Sequence, residues 1–456
     1  MDLEKSINLI MSTGADFGEI YLEDEKSKVI SLVDSRIDKI NINLSKGIGF
    51  RIALGEEIYY ASTNDFSLAR IAETIDELKS SVSSSIKFKN IKLQAKQTHD
   101  YKSLHEKKDT DDTIIAKIKE YDKYIRESDK RVSQVDISVL SKNKKVTICN
   151  HRGVYTEENR KYNRIFISVI FKDGEKISTQ NLSYANTNDD GFINSLDIKK
   201  DIDNLVISGV KKLYAKSIEG KTMPVIIENG FGAVIFHEAC GHALEAQAVS
   251  RNLSILANKN GEKIASEKVT LIDDGTLPNK WGSTSIDDEG MPTKRNILIK
   301  GGVLKTYLND ELNNRRLNSH LTGSSRRESY LYAPVSRMNN TYLEKGNDKI
   351  SDMISSIDDG LYVKSLGGGC VSVETGDFNF AANEAYLIKN GKVTDCVKSA
   401  SLIGNTVQVL KNIEMVADDL KIDPGMCGAS SGWVPVTIGQ PTIKVSEILV
   451  GGEKND

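Results

Sequence analysis

A chain of 456 residues that is 39% hydrophobic and 27% charged can bury real cores and falls in the soluble globular range, which argues against a disordered or membrane-embedded protein. A formal net charge of −3 leaves no electrostatic footprint for nucleic acid as the main partner. Five widely scattered cysteines without a Cys-x-x-Cys pair speak against both a disulfide framework and a zinc ribbon. No apolar run approaches the roughly 18 residues of a membrane span. The N-terminus Met1-Asp2-Leu3-Glu4-Lys5 also lacks the basic-then-apolar pattern of a secretion signal, so a cytoplasmic protein without membrane contact is expected.

In chain order, Leu3, Ile7 and Ile10 predict a short amphipathic helix over residues 2–13, stopped at Gly14. Strands follow at 19–23, 28–32 and 47–54, the last with Gly47 and Gly49 marking a bulge or a close backbone approach. Helices over 65–82 and 111–128 alternate with strands at 132–140 and 144–149, and the mixed-charge run 106–112 reads as a solvated loop entering the second helix. Lys172-Asp173-Gly174 joins strands 164–171 and 175–180 as a hairpin, and a helix over 199–216 precedes the Gly- and Pro-punctuated stretch 217–224. The expected boundary lies there, giving a mixed α/β N-terminal domain over 1–217 and a β-rich C-terminal domain over 222–456, α+β in class. Lys300-Gly301-Gly302-Val303 and Lys389-Asn390-Gly391-Lys392 predict further hairpins, while 322–330 and 366–370 read as loops rich in unusual groups.

The chemistry concentrates in residues 231–248, where a strand-like run ending at Glu228 leads through Asn229-Gly230 into His237-Glu238-Ala239-Cys240-Gly241-His242. Two imidazoles offer neutral nitrogen ligands of the kind zinc favours, and Glu238 stands where a general base for a metal-activated water belongs. The spacing is one residue longer than the His-Glu-x-x-His of zincins. Five steps of an ideal α-helix turn through roughly 500° and leave the rings about 140° apart, against about 40° for four steps. A π-type turn would bring them to one side, with Gly241 able to absorb the distortion.

A catalytic zinc commonly takes three protein ligands and keeps one position for water, so a third ligand is needed. Glu245, Cys240, His320 and Cys427 are candidates, and spacing does not choose among them. Cys427 lies in Pro424-Gly425-Met426-Cys427-Gly428, whose glycines would ease a close approach to a metal.

The segments His237–His242, Ile286-Asp287-Asp288-Glu289-Gly290, Gly323 to Tyr330 and Met426-Cys427-Gly428 resemble the TldD members of the TldD/PmbA family, and the resemblance runs through most of the chain. It implies that His237, His242 and Cys427 bind the metal, expected to be Zn2+, and that Glu238 is the catalytic glutamate. Cys370 stands where many relatives are expected to carry a polar residue and is a rival thiol. The resemblance also implies a two-domain subunit that forms a homodimer or a heterodimer with a PmbA-like subunit and cleaves unfolded or leader-type peptides.

The residues by themselves fit hydrolysis of a peptide bond, with Glu238 taking a proton from water and passing it to the leaving amine. A structural metal in an interaction protein and hydrolysis of a non-peptide amide are the alternatives; the first would show four protein ligands and no exchangeable water.

Overall fold

Asp2 caps the helix Leu3–Met11 by accepting from the Lys5 amide, and the chain leaves that helix through Gly14 at φ +88°. The computed structural model describes residues 2–82 and 90–452. The protein is α+β, with the longer helices packed on an N-terminal sheet and two further sheets, with short helices between their strands, dominating the second half.

The N-terminal sheet runs in the order Glu57–Thr63, Arg36–Leu54, Phe17–Val33, Val132–Asn150, Tyr155–Asp173; the last strand also pairs with Gln97–His99 and Lys176–Thr187. Two helix-capped cores sit on it. Ile7 and Ile10 of the first helix and Ile71 and Ile75 of Leu68–Ser80 pack on Ile20 and Phe50. Ile118 and Ile125 of Asp111–Ser128, with Ile202 and Leu205 of Lys199–Leu213, pack on Ile30, Ile137 and Ile165. The charged run before Asp111 does enter a helix, with Thr110 and Thr113 forming a reciprocal N-terminal cap.

Where the apolar pattern predicts pairs of short strands, 19–23 with 28–32 and 132–140 with 144–149, the protein has single strands, Phe17–Val33 and Val132–Asn150. The charged interruptions fall opposite one another, Asp24 beside Lys145, Glu25 beside Lys144 and Lys26 beside Asn143. Cross-strand charge pairing carries the ladder through a stretch that looks like a turn when each strand is read alone. Gly47 and Gly49 mark close approaches and no bulge: a Cβ would meet the Tyr330 ring at 2.2 Å at the first and Tyr60 Oη at 1.9 Å at the second.

In the second half, an eight-stranded sheet places Lys221–Ile227 between Asp359–Val371 and Ile443–Gly451, and already includes Lys216–Ser217. The region 366–370 is thus the end of a strand and not a loop. The hairpins predicted at 300–303 and 389–392 are present, with Gly301, Gly302, Asn390 and Gly391 at positive φ. A six-stranded sheet runs Val303–Leu304, Arg295–Lys300, Leu271–Asp274, Asn340–Leu343, Gly432–Gln440, Lys421–Ala429, which leaves the last strand at an edge. One large apolar cluster lies beneath both sheets and includes Val225, Phe236, Leu271, Phe380 and Ile438.

The halves meet across a buried ionic seam. Arg51 lies between Glu19 and Glu289 at 2.7 Å from each, and Arg327 reaches the other oxygen of Glu19 at 2.7 Å. Arg160 pairs with Glu158 and Asp288, both at 2.7 Å, and Lys144 pairs with Glu23 at 2.7 Å while donating to the main-chain oxygen of Glu328. The segments 286–290 and 323–330 supply the second half's side of this seam. Among the described residues no helix is long and apolar enough to cross a membrane.

Candidate metal centre

Strand Lys221–Ile227 delivers the chain to the site from the middle of its sheet. Asn229 is tied to Asp419, and Gly230 turns at φ +78°, where a Cβ would meet Asp423 Oδ2 at 2.3 Å. A 3-10 turn, Gly230–Ala233, then leads into a π-helical segment, Phe236–Gly241. The His242 amide donates to the His237 carbonyl, an i→i+5 bond, so five residues complete one turn and both imidazoles emerge on the same side. Apolar contacts hold this geometry, since Ile235, Phe236, Ala239 and Cys240 enter the core. Gly241 contributes in a different way from the expected one: its φ of −58° is ordinary, and glycine is needed because a Cβ would meet Met338 Sδ at 2.0 Å.

Cys427 arrives on the edge strand Lys421–Ala429, opposite Val434. His242 Nε2 and Cys427 Sγ lie 3.3 Å apart, and the His237 and His242 ring centroids are 5.1 Å apart with planes at 77°. One donor atom from each of His237, His242 and Cys427 falls within 4.8 Å of the others. Glu238 Oε2 stands 3.5 Å from His242 Nε2 at the same cleft, an open space of about 500 Å3 also lined by Met426, Gly428, Ala429 and Trp433.

The remaining candidates lie elsewhere or act differently. Glu245 accepts from His242 Nδ1 at 2.9 Å, which turns Nε2 toward Cys427, so it orients a donor. Cys240 faces a small, mainly apolar pocket with Phe378 and Leu410, and burial pushes its thiol up to about 12. Cys370 is exposed on Asp359–Val371, and His320 is exposed on a loop where its carbonyl accepts from Asn309. Arg337 is the residue that motif reading missed. Fully buried, it donates to the carbonyl oxygens of Cys427 and Gly432 and to Ser431 Oγ, and its Nε lies 3.8 Å from Glu245 Oε1. Nothing in the local pattern around 337 points to the site; only the fold brings the connection between Val335–Ser336 and Asn340–Leu343 behind Cys427.

The electrostatics of the two imidazoles differ, burial keeping His237 neutral and acidic neighbours favouring a proton on His242. Burial, then the neighbouring His242 and Arg337 charges, hold His237 well below the ordinary imidazole range. Burial alone would lower His242 too, but the Glu245 carboxylate and Cys427 outweigh it and raise that ring. Glu238 is raised, first by burial and further by Glu245, against the pull of His242 and Arg337. Among the described residues, the buried His237 Nδ1 has no hydrogen-bond partner. Two imidazole nitrogens and a thiol form a donor set suited to zinc. On a tetrahedral zinc, nitrogen and sulfur ligands stand about 3.5 Å apart, close to the 3.3 Å between His242 and Cys427.

Comparison with known proteins matches three consecutive stretches to family models: the PmbA/TldA metallopeptidase domain 1 at 18–85, the central domain at 104–213 and the C-terminal domain at 219–452. The chain belongs to the TldD/PmbA family of metallopeptidases. Among TldD/PmbA relatives, the metalloprotease TldD homolog of Buchnera aphidicola subsp. Acyrthosiphon pisum is 35% identical over 454 residues, covering 96% of this chain and 93% of that one. The TldD homolog of Haemophilus influenzae is 32% identical over 456 residues, with the same coverage of 96% and 93%. A relative from Saccharolobus solfataricus named zinc metalloprotease TldD homolog is 29% identical over 310 residues, 66% of this chain and 69% of that one. The crystal structure of TldE from Thermococcus kodakarensis shares the fold, with a TM-score of 0.78 at 22% identity over 99% of this chain and 100% of that one.

Proposed function

We propose that this TldD/PmbA chain is a zinc-dependent peptidase acting on unfolded or extended peptides, with His237, His242 and Cys427 holding the metal and Glu238 as general base. The observation that carries the reading is the clustering of two imidazoles and a thiol within 4.8 Å, with His242 and Cys427 lining an open cleft beside the raised carboxylate of Glu238. Zinc held there supplies a Lewis acid that polarises a carbonyl and acidifies water.

The protein's own groups do the rest. Glu238 takes the proton of the attacking water on its carboxylate and returns it to the departing amine, and burial, which raises this carboxyl above its ordinary value, makes it a stronger base. Glu245 fixes the His242 tautomer, and Arg337 fixes the main chain at Cys427, so two donors keep their direction as charge develops. Lys421–Ala429 lies at the edge of its sheet beside the cleft, and its main chain offers pairing groups to an extended peptide. Backbone pairing would hold many sequences, and enclosure of the cleft by a second subunit, a copy of this chain or a PmbA-like one, would sharpen the demand for an unfolded segment. A purely structural metal would call for a fourth protein donor, whereas the donor cluster among the described residues has three members and faces open space.

The test joins metal analysis to proteolysis of one substrate protein in stable and destabilised forms at equal concentration. About one zinc per donor cluster, chelator-sensitive cleavage and preference for the destabilised form are expected. Equal cleavage of both forms, or activity indifferent to chelation, sinks the reading.

A further inference from the structure

We infer that Trp433 and Met426 form an apolar subsite beside the donor cluster, which receives a large aromatic or aliphatic side chain next to the scissile bond; this rests on the peptidase reading above. The protein has two tryptophans, and they are treated in opposite ways. Trp281 is 1% exposed, packed on Tyr162 and donating to the Gly425 carbonyl, whereas Trp433 is 60% exposed at the rim of the cleft and Met426 is 41% exposed beside it. A lone exposed aromatic is ordinary on a protein surface. Two large apolar side chains on the lining of a cleft that also holds the metal donors form a surface shaped for contact.

The strand register says what that surface meets. Gly428 pairs with Trp433 and Cys427 with Val434, so alternation puts Met426, Gly428 and Trp433 on one face of the hairpin and Cys427 on the other. Gly428 gives the indole a flat seat, since a Cβ there would meet three of its ring carbons at 3.2 Å. The main chain beneath is pinned from both sides: the Trp433 amide donates to Glu328 Oε2 at 2.8 Å, and Arg337 donates to the Gly432 carbonyl at 3.0 Å. An extended peptide along the free edge turns alternate side chains to the two faces. If its carbonyl lies at the donor cluster, an adjoining side chain lies against Met426 and Trp433. An indole face and a thioether attract aromatic and long aliphatic groups, and such contacts need little reordering where the receiving side is already fixed. The preference is graded, about three- to tenfold in kcat/KM, the size one well-placed aromatic contact confers.

The experiment uses the zinc-loaded full chain and two peptides identical except for Phe or Ser beside the cut. Wild type favours the Phe peptide, chiefly through KM; Trp433→Ala brings the ratio close to one with zinc content unchanged, and Trp433→Phe restores most of it. In parallel, tryptophan emission of the Glu238→Gln protein is followed as each peptide is added, so that binding is read without turnover. A blue shift that saturates at lower concentration with the Phe peptide supports the subsite. An unchanged ratio in Trp433→Ala, an equal loss for both peptides, or no emission change at saturating Phe peptide overturns it. Absence of cleavage in every protein counts against the peptidase reading instead, and the emission experiment still decides the subsite.

Discussion

Arg337 donates from Nη2 to the main-chain oxygen of Cys427 at 2.6 Å, while its Nε lies 3.8 Å from the carboxylate that holds His242. One guanidinium therefore holds the Cys427 main chain and stands beside the carboxylate that orients His242. Arg337→Lys keeps the charge but loses the planar fork. Zinc affinity should fall by about 10- to 100-fold, the usual cost of removing a supporting contact, with far-UV circular dichroism unchanged. Affinity within about threefold of wild type in a chelator competition would show that Arg337 supports the fold alone.

Glu238→Gln preserves size and removes the proton acceptor. Metal content should stay at the wild-type level while kcat falls by roughly 10²–10⁴-fold. Activity within about tenfold of wild type would remove Glu238 from the general-base role.

Cys427→Ser should release zinc or weaken it strongly, because a hydroxyl is a harder and poorer ligand than a thiolate. Cys240→Ser should leave zinc in place and cost stability, since its thiol lies in an apolar pocket. Metal retained in Cys427→Ser but lost in Glu245→Ala or Cys370→Ser would reassign the third donor.

Gly241→Ala should destabilise the protein by about 1–3 kcal/mol through overpacking, because the new methyl would fall 2.0 Å from Met338 Sδ. Adding Met338→Ala should recover part of that loss, so the two changes together cost less than their sum. Strict additivity in urea unfolding would place the strain of Gly241→Ala elsewhere.

Asp288 lies fully inside the seam. Burial alone would raise its pKa, but Arg160, Lys144 and Arg327 outweigh burial and hold it below the ordinary carboxylate value. A carboxylate lowered on folding stabilises the protein above its unfolded pKa of about 3.9, and that stability drains away as pH falls through the lower folded value. Asp288→Asn should cost about 3–5 kcal/mol at neutral pH by leaving Arg160 without this partner, and its stability should fall less steeply than wild type below about pH 4. An unchanged acid slope in denaturant titrations would assign the acid sensitivity to other seam carboxylates.

The turn geometry at the site is legible in the histidine spacing alone. Two imidazoles five residues apart serve one ion only if the helix widens, and the His242 amide does bond to the His237 carbonyl. The role of Gly241 is not legible there, because the atom that demands glycine belongs to Met338, 97 positions away in the chain and brought close by sheet packing. Strand lengths escape the apolar pattern for the same kind of reason. Asp24-Glu25-Lys26 looks like a break until Lys144 and Lys145 stand opposite.

By itself the sequence determined what local chemistry can encode: the α+β class through apolar periodicity, the glycine-bearing hairpins through φ, and the candidate pair His237 and His242 through residue type and spacing. The tertiary structure decided what depends on partners remote in the chain. It brought Cys427, and neither Cys240 nor His320, within reach of the two imidazoles by placing an edge strand across the cleft, and set Arg337 behind the Cys427 main chain. It also turned the segments 286–290 and 323–330 into the ionic seam through which the N-terminal sheet steadies the hairpin carrying Cys427, with Lys144 on the Glu328 carbonyl and Glu328 on the Trp433 amide. Such contacts join residues more than a hundred positions apart, and their energy depends on burial and register that exist only once the sheets have formed.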